Sequence, residues 1–175
     1  MDKRKTENLR VRKAITDALF ELMKNQPLST VSVSEIIRKA GVARVSFYRN
    51  FDSKEDVLVG LVRYVLDDFR ENSDYDLSDN LTLKHILRTL EYYYQYRSYV
   101  LNLHHSGYSA MLLDELNQFH VSVAGDMPVS SERRYQLYVF VGAIYNTVIY
   151  WLNESNPAPA ETVAKSILES LAGQE

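Results

Sequence analysis

The sequence predicts an all-α protein, and three observations carry that reading. Apolar residues recur at three- and four-residue spacing in stretch after stretch. No segment stands out as a strand, a repeat or a low-complexity tract. The breaks fall at clusters of Pro, Gly, Asn and Ser, where helices stop. Apolar residues make up 46% of the 175 residues, enough for a packed core. About nine helices are expected: three in an N-terminal head, one connecting helix, and a C-terminal bundle.

Val11, Ile15, Ala18, Leu19, Leu22 and Met23 form the stripe of a first helix. It stops near Asn25-Gln26-Pro27, because proline cannot extend a helix and biases the residue before it away from one. Ser32-Val33-Ser34-Glu35 reads as a capping box opening a second helix, with Val31 and Ile36 spaced as a hydrophobic staple. Ala40-Gly41-Val42 is the turn, Gly41 being suited to left-handed backbone. A third helix covers about residues 44–50. Ser53 caps a longer one with the stripe Val57, Leu58, Leu61, Val62, Val65, Leu66 and Phe69. Residues 72–80 are a polar, acidic loop and a boundary in composition. One long helix is expected over about residues 81–105, broken by Ser106-Gly107, and another over about 108–121. Gly125-Asp126-Met127-Pro128 is a loop. Ser130 or Ser131 caps a helix reaching Glu154. Asn156-Pro157-Ala158-Pro159 links it to a last helix ending near Ala172-Gly173.

Net charge is −3, but it is unevenly spread. Residues 1–54 hold 12 Lys and Arg against 6 Asp and Glu; residues 55–175 hold 8 against 17. A basic front can meet phosphates while an acidic remainder repels them. The chain therefore divides into a head at 1–54 and a bundle at 55–175, with residues 53–71 as the connecting helix. The absence of cysteine removes disulfides, thiol nucleophiles and Cys-based metal sites, and fits a reducing cytoplasm. The basic N-terminus has no apolar run behind it and does not read as a signal peptide.

Helix, glycine turn and short basic helix are the outline of a helix-turn-helix whose second helix lies in the major groove. Phosphates are held by Lys, Arg, hydroxyls and helix N-termini, and base edges by side chains at the front of the recognition helix. Ser32 stands at a helix N-terminus. Arg44 opens the third helix, Ser46 follows, and Tyr48, Arg49, Asn50 and Lys54 come at its end and just beyond.

At these residues the chain resembles the N-terminal domain of the TetR family of one-component transcriptional regulators. The resemblance runs ungapped over about residues 30–58. It includes Val33, Ile36, Ala40, Gly41, Val42, Phe47, Tyr48, Phe51, Lys54 and Leu58. It implies Arg44, Val45, Ser46, Arg49 and Asn50 as base readers, and Ser32, Tyr48 and Lys54 as phosphate positioners on double-stranded DNA. Ala43 departs from the pattern, since many members carry a Ser or Thr cap there; losing that cap costs about 1 kcal/mol. Lys3, Arg4, Lys5 and Arg10 form either an arm onto the adjacent groove or a frayed, solubilising terminus.

Residues 135–152 contain no charge, the length of a minimal membrane span. Gln136, Asn146, Thr147 and several tyrosines interrupt them, and Glu154 follows with no basic anchor, so no membrane span is expected. A helix apolar all round needs cover, and a second copy supplies it. The resemblance implies the same homodimer, built on the last two helices, about 132–153 and 159–171. Tyr138, Gly142, Ala143, Tyr145, Ile149 and Leu168 are the interface candidates, with Gly142 and Ala143 allowing close approach.

The helix after Leu81 is apolar on two faces, as at the centre of a bundle. The family binds small molecules beside such a helix, and tyrosines offer a flat apolar face with one hydroxyl. Tyr92, Tyr93, Tyr96, Tyr99, His104, Tyr108 and Met111 are candidates to line the pocket of a small-molecule effector of unknown identity. His104 and His105 with His85 and His120 do not suggest a metal, because adjacent helical residues point about 100° apart. Nor is there a phosphate loop or a local catalytic arrangement, so neither cofactor nor enzyme activity is expected. The sequence reads as a repressor released from its operator by a ligand. A regulator acting as activator, or answering a protein partner, has the same signals; a helical carrier or enzyme is the contrasting class.

Overall fold

A computed structural model describes residues 3–72, 82–124 and 131–172. Among them are nine α-helices and no strand: α1 (Lys3–Met23), α2 (Val33–Ala40), α3 (Arg44–Asn50), α4 (Lys54–Asn72), α5 (Leu83–Gln95), α6 (Arg97–His105), α7 (Ser109–Ala124), α8 (Glu132–Asn153) and α9 (Ala160–Ala172). A 3₁₀ turn, Leu28–Thr30, joins α1 to α2. The loop expectations for residues 73–80 and 125–128, and Ser130 as a cap, lie outside the described residues.

Helix ends follow local chemistry. The Ser32 side chain accepts from the Glu35 amide at 3.2 Å and the Ser32 amide donates to the Glu35 carboxylate at 2.8 Å, completing the capping box. These bonds hold the Glu35 carboxyl below the usual carboxylate range. Gly41 ends α2 at φ +65°, where any side chain is strained. Ser53 Oγ accepts from the Asp56 amide at 3.1 Å. Ala43 makes no side-chain cap, as its methyl group requires. Ser131 stands at the N-cap of α8, but its hydroxyl makes no cap bond; its carbonyl accepts from the Arg134 amide instead.

The expected single helix over 81–105 is two. Tyr96, at φ −100° and ψ 17°, separates α5 from α6. No sequence breaker stands there. Tertiary bonds hold α6 in its own direction: Arg97 donates to the Leu152 and Glu154 carbonyls closing α8, at 2.8 and 2.9 Å. Thr82, unnoticed in the sequence, caps α5 by accepting from the His85 amide at 3.3 Å.

The core runs unbroken from the head into the bundle. Ile15, Leu19, Leu28, Ile36, Phe47, Val57 and Leu58 are fully buried in front, and Ile86, Leu90, Val148 and Leu152 behind. Helix α1 packs on α2, α3, α4 and α6; α7 lies against α4 and α8, and α9 against α5 and α8.

Candidate nucleic-acid interface and cavity

Helix α3 is two-faced. Phe47 is fully buried and Phe51 follows it inward, with ring centroids 6.1 Å apart. Arg44, Val45, Tyr48 and Arg49 are exposed on the other side. Arg44 leans over Tyr48, its guanidinium carbon 5.4 Å from the ring centroid and Nη2 3.4 Å from the hydroxyl. Ser46 and Asn50 are half-buried at the edge; the Asn50 side-chain amide donates to the Ser46 carbonyl at 2.8 Å. Arg12, which sequence reasoning missed, secures the end of α3. It donates to the Asn50 carbonyl at 2.9 Å and lies 4.4 Å over the Phe51 ring.

Two expected positioners have other partners in this structure. The Ser32 hydroxyl and amide both serve Glu35, whose carboxylate sits at the N-terminus of α2. Lys54 turns inward. Its ammonium donates to the carbonyls of Leu28 at 3.0 Å, Ser29 at 3.4 Å and Val31 at 2.9 Å. All three donors are thus used on the turn leading into α2. Arg10 pairs with Glu7 on α1, and the side chains of Lys3, Arg4 and Lys5 lie outside the described residues.

A second joint ties the head to the bundle. Asn102 on α6 accepts from the Leu28 amide at 2.8 Å and donates to the Met23 and Gln26 carbonyls at 2.7 and 2.9 Å. Nothing in the sequence marks this residue, because its partners lie more than seventy positions away.

Beside that joint is a cavity of about 90 Å³. Its wall comes from α1 (Phe20, Met23), from α4 (Leu61, Val62, Val65, Leu66, Phe69) and from α5, α6 and α7. Tyr92, Tyr93, Tyr96 and Tyr99 line it. His104, Tyr108 and Met111 do not, which corrects the expectation for them. The His104 ring is 2.8 Å from the Ser109 hydroxyl, and Tyr108 reaches out to Glu55 at 2.7 Å. His105 turns to the Asn153 side chain, 3.0 Å away. No trio of His, Cys, Asp or Glu among the described residues is grouped to hold a metal.

His120 also lines the cavity. Burial pushes its imidazole down to about 4, against which the bond from Nδ1 to the Leu116 carbonyl at 2.8 Å works only partly. Between that value and the ordinary 6.5, the unfolded chain binds the extra proton. Stability therefore falls as pH falls through this window, by about 2 kcal/mol at pH 5 relative to neutrality. Urea unfolding at pH 7 and pH 5 reads it, and His120→Phe should lose that share of the slope. An identical slope in the variant would assign the dependence elsewhere.

Helix α8 has a stripe open to solvent: Tyr135, Tyr138, Val139 and Tyr150 are exposed, with Gly142 and Ala143 half-buried along it. Tyr145 and Ile149 are buried inside the subunit, and the Tyr145 hydroxyl donates to the Ser109 carbonyl at 3.4 Å. That corrects their assignment to an interface. The helix turns them to the same side as Val141, Ile144 and Val148. Tyr135, Val139 and Tyr150, exposed on the stripe, were not among the sequence candidates. Leu168 on α9 is half-buried. No helix among the described residues is long and apolar enough to cross a membrane.

A buried aromatic side and an exposed side bearing two arginines, on a short helix held after a glycine turn, are the arrangement of a helix-turn-helix head. Comparison with known proteins agrees. Residues 15–61 match the family model described as bacterial regulatory proteins, tetR family. The chain is 24% identical over 165 residues to the uncharacterized HTH-type transcriptional regulator YxbF of Bacillus subtilis (strain 168), covering 89% of this chain and 43% of that protein. It is 33% identical over 70 residues to the fatty acid metabolism regulator protein of the same organism, covering 40% of this chain and 36% of that one. These matches span less than half the length of the relatives. In fold it is similar to a TetR transcriptional regulator from Streptococcus agalactiae 2603V, with TM-score 0.69, 18% identity, and 96% and 97% of the two chains covered. It also resembles the dihydroxyacetone kinase operon activator DhaS, with TM-score 0.56, 18% identity, and 94% and 95% covered. Residues 15–61 are a DNA-binding domain of the tetR family type, and the chain as a whole has the fold of TetR transcriptional regulators.

Proposed function

We propose that this regulator is a cytoplasmic homodimer that represses from a double-stranded operator and is released by a small molecule entering the cavity. In this reading residues 1–54 meet DNA, residues 55–175 bind ligand and dimerise, and the chain performs no catalytic step. The observation that carries it is the shared wall. Phe20 and Met23 belong to the same helix that packs on α2 and α3, yet they line the cavity together with α4. A molecule that favours one separation of these walls moves the head by as much as it discriminates between the two states. Arg44, Val45, Ser46, Arg49 and Asn50 are the proposed base readers, and Tyr48 is the proposed phosphate contact. Ser32 and Lys54 support that surface by holding α2 and the turn before it. A mobility shift on the chain's own upstream DNA tests binding, and a reporter driven from that DNA tests the sign. Deleting the protein should raise reporter output; a fall would make it an activator.

The exposed stripe of α8 is the proposed dimer surface. A side chain built at Gly142 meets nothing within 4 Å in its own subunit. Gly142→Glu is therefore expected to leave the fold intact and to yield monomers by light scattering, with operator affinity lost because the two heads no longer act together. A stable dimer in that variant would move the interface off this stripe.

A further inference from the structure

Resting on the reading of the cavity as the effector site, we propose that it takes a small uncharged molecule on the scale of one aromatic ring, and rejects carboxylate and ammonium analogues of the same size. No Asp, Glu, Lys or Arg lines it. The nearest charges are committed to each other or to the wall. Asp68 lies 2.9 Å from the Tyr92 hydroxyl, Glu115 holds Arg63 through bonds of 2.6 and 3.0 Å, and Lys24 pairs with Glu21. Two hydroxyls of the wall are occupied too. The Thr89 hydroxyl donates to the His85 carbonyl at 3.0 Å, and the Tyr92 hydroxyl is also 2.9 Å from the Val65 carbonyl. His120 stays neutral at physiological pH because burial opposes its protonation. An ionised ligand would enter with no counter-charge, the most unfavourable form of burial. The apolar wall supplies the opposite. Phe20 and Tyr99 stack with centroids 3.7 Å apart, and Phe69 and Tyr96 flank Tyr92 at 4.9 and 5.0 Å. A flat ring extends such packing. A space of about 90 Å³ limits the occupant to roughly one ring.

The test uses the full chain and four single-ring probes: toluene, p-cresol, benzoate and benzylammonium. Millimolar toluene and p-cresol should raise the melting temperature by about 2–5 °C, and the two ions by less than about 0.5 °C. Calorimetric titration of the unmodified protein with toluene and benzoate gives the same ranking without any variant. Leu116→Phe and Val100→Phe each fill the space and should lose the toluene shift. A shift from either ion as large as that from toluene overturns the proposal. So does a toluene shift that survives in a folded, filled variant, or no response to either neutral probe. A mobility shift with toluene present separates the two readings. Binding without loss of DNA affinity would end ligand release by this class while upholding the chemistry of the cavity.

Discussion

Asn102→Leu is expected to lower the melting temperature by about 10 °C and to weaken operator binding together with it. One amide side chain satisfies the Leu28 amide and the Met23 and Gln26 carbonyls, the groups that end α1 and start the turn toward α2. Leucine keeps the volume but leaves all three without their partner. Each unsatisfied group costs about 1–3 kcal/mol, less where water reaches it, so about 3 kcal/mol is expected in total. In a chain of this size that corresponds to about 10 °C. Asn102→Asp keeps an acceptor for Leu28 and loses both donors, so it should fall between the two. The measurements are thermal unfolding and a DNA titration on the same preparations. A leucine variant melting within about 1 °C of the parent would show that α6 does not hold the head.

Lys54→Met has the second largest expected effect, and it separates a clamp from a phosphate contact. Methionine preserves most of the stem but none of the three bonds to the turn at residues 28–31. A clamp predicts a loss of about 2 kcal/mol in stability, with DNA affinity falling because α2 and α3 lose their seating. Tyr48→Phe is the contrast. Its hydroxyl lies at the surface beside Arg44, so stability should hold while affinity drops about equally on all DNA sequences. If Lys54 instead spends its charge on a phosphate, Lys54→Met will leave unfolding unchanged and reduce the slope of log affinity against log salt by about one.

The head was largely legible in the residues because its signals are local. The capping box joins residues three apart, Gly41 carries its own φ preference, and Phe47 and Phe51 repeat at one helical turn. What escaped there were the long-range partners: Arg12 reaching Asn50, and Lys54 folding back on residues 28–31. A lysine in sequence is a charge without a direction. The rear half was legible only as helices with apolar faces. Of seven candidates for the cavity, five of them tyrosines, packing selected four tyrosines while sending His104, Tyr108 and Met111 elsewhere. Along α8 the composition announced burial, but its phase about the helix axis set Tyr145 and Ile149 inward and Tyr138 and Val139 outward.

Taken alone, the chain's residues determined that its described part is helical, where its turn stands, and which short helix carries the exposed arginines. These follow from forces acting within one or two helical turns. Only tertiary structure decided the break at Tyr96, the Asn102 joint, the uncharged cavity and the outward stripe of α8. Each of these depends on groups that meet only when distant helices pack, and helical periodicity reports that a face is apolar without reporting what covers it.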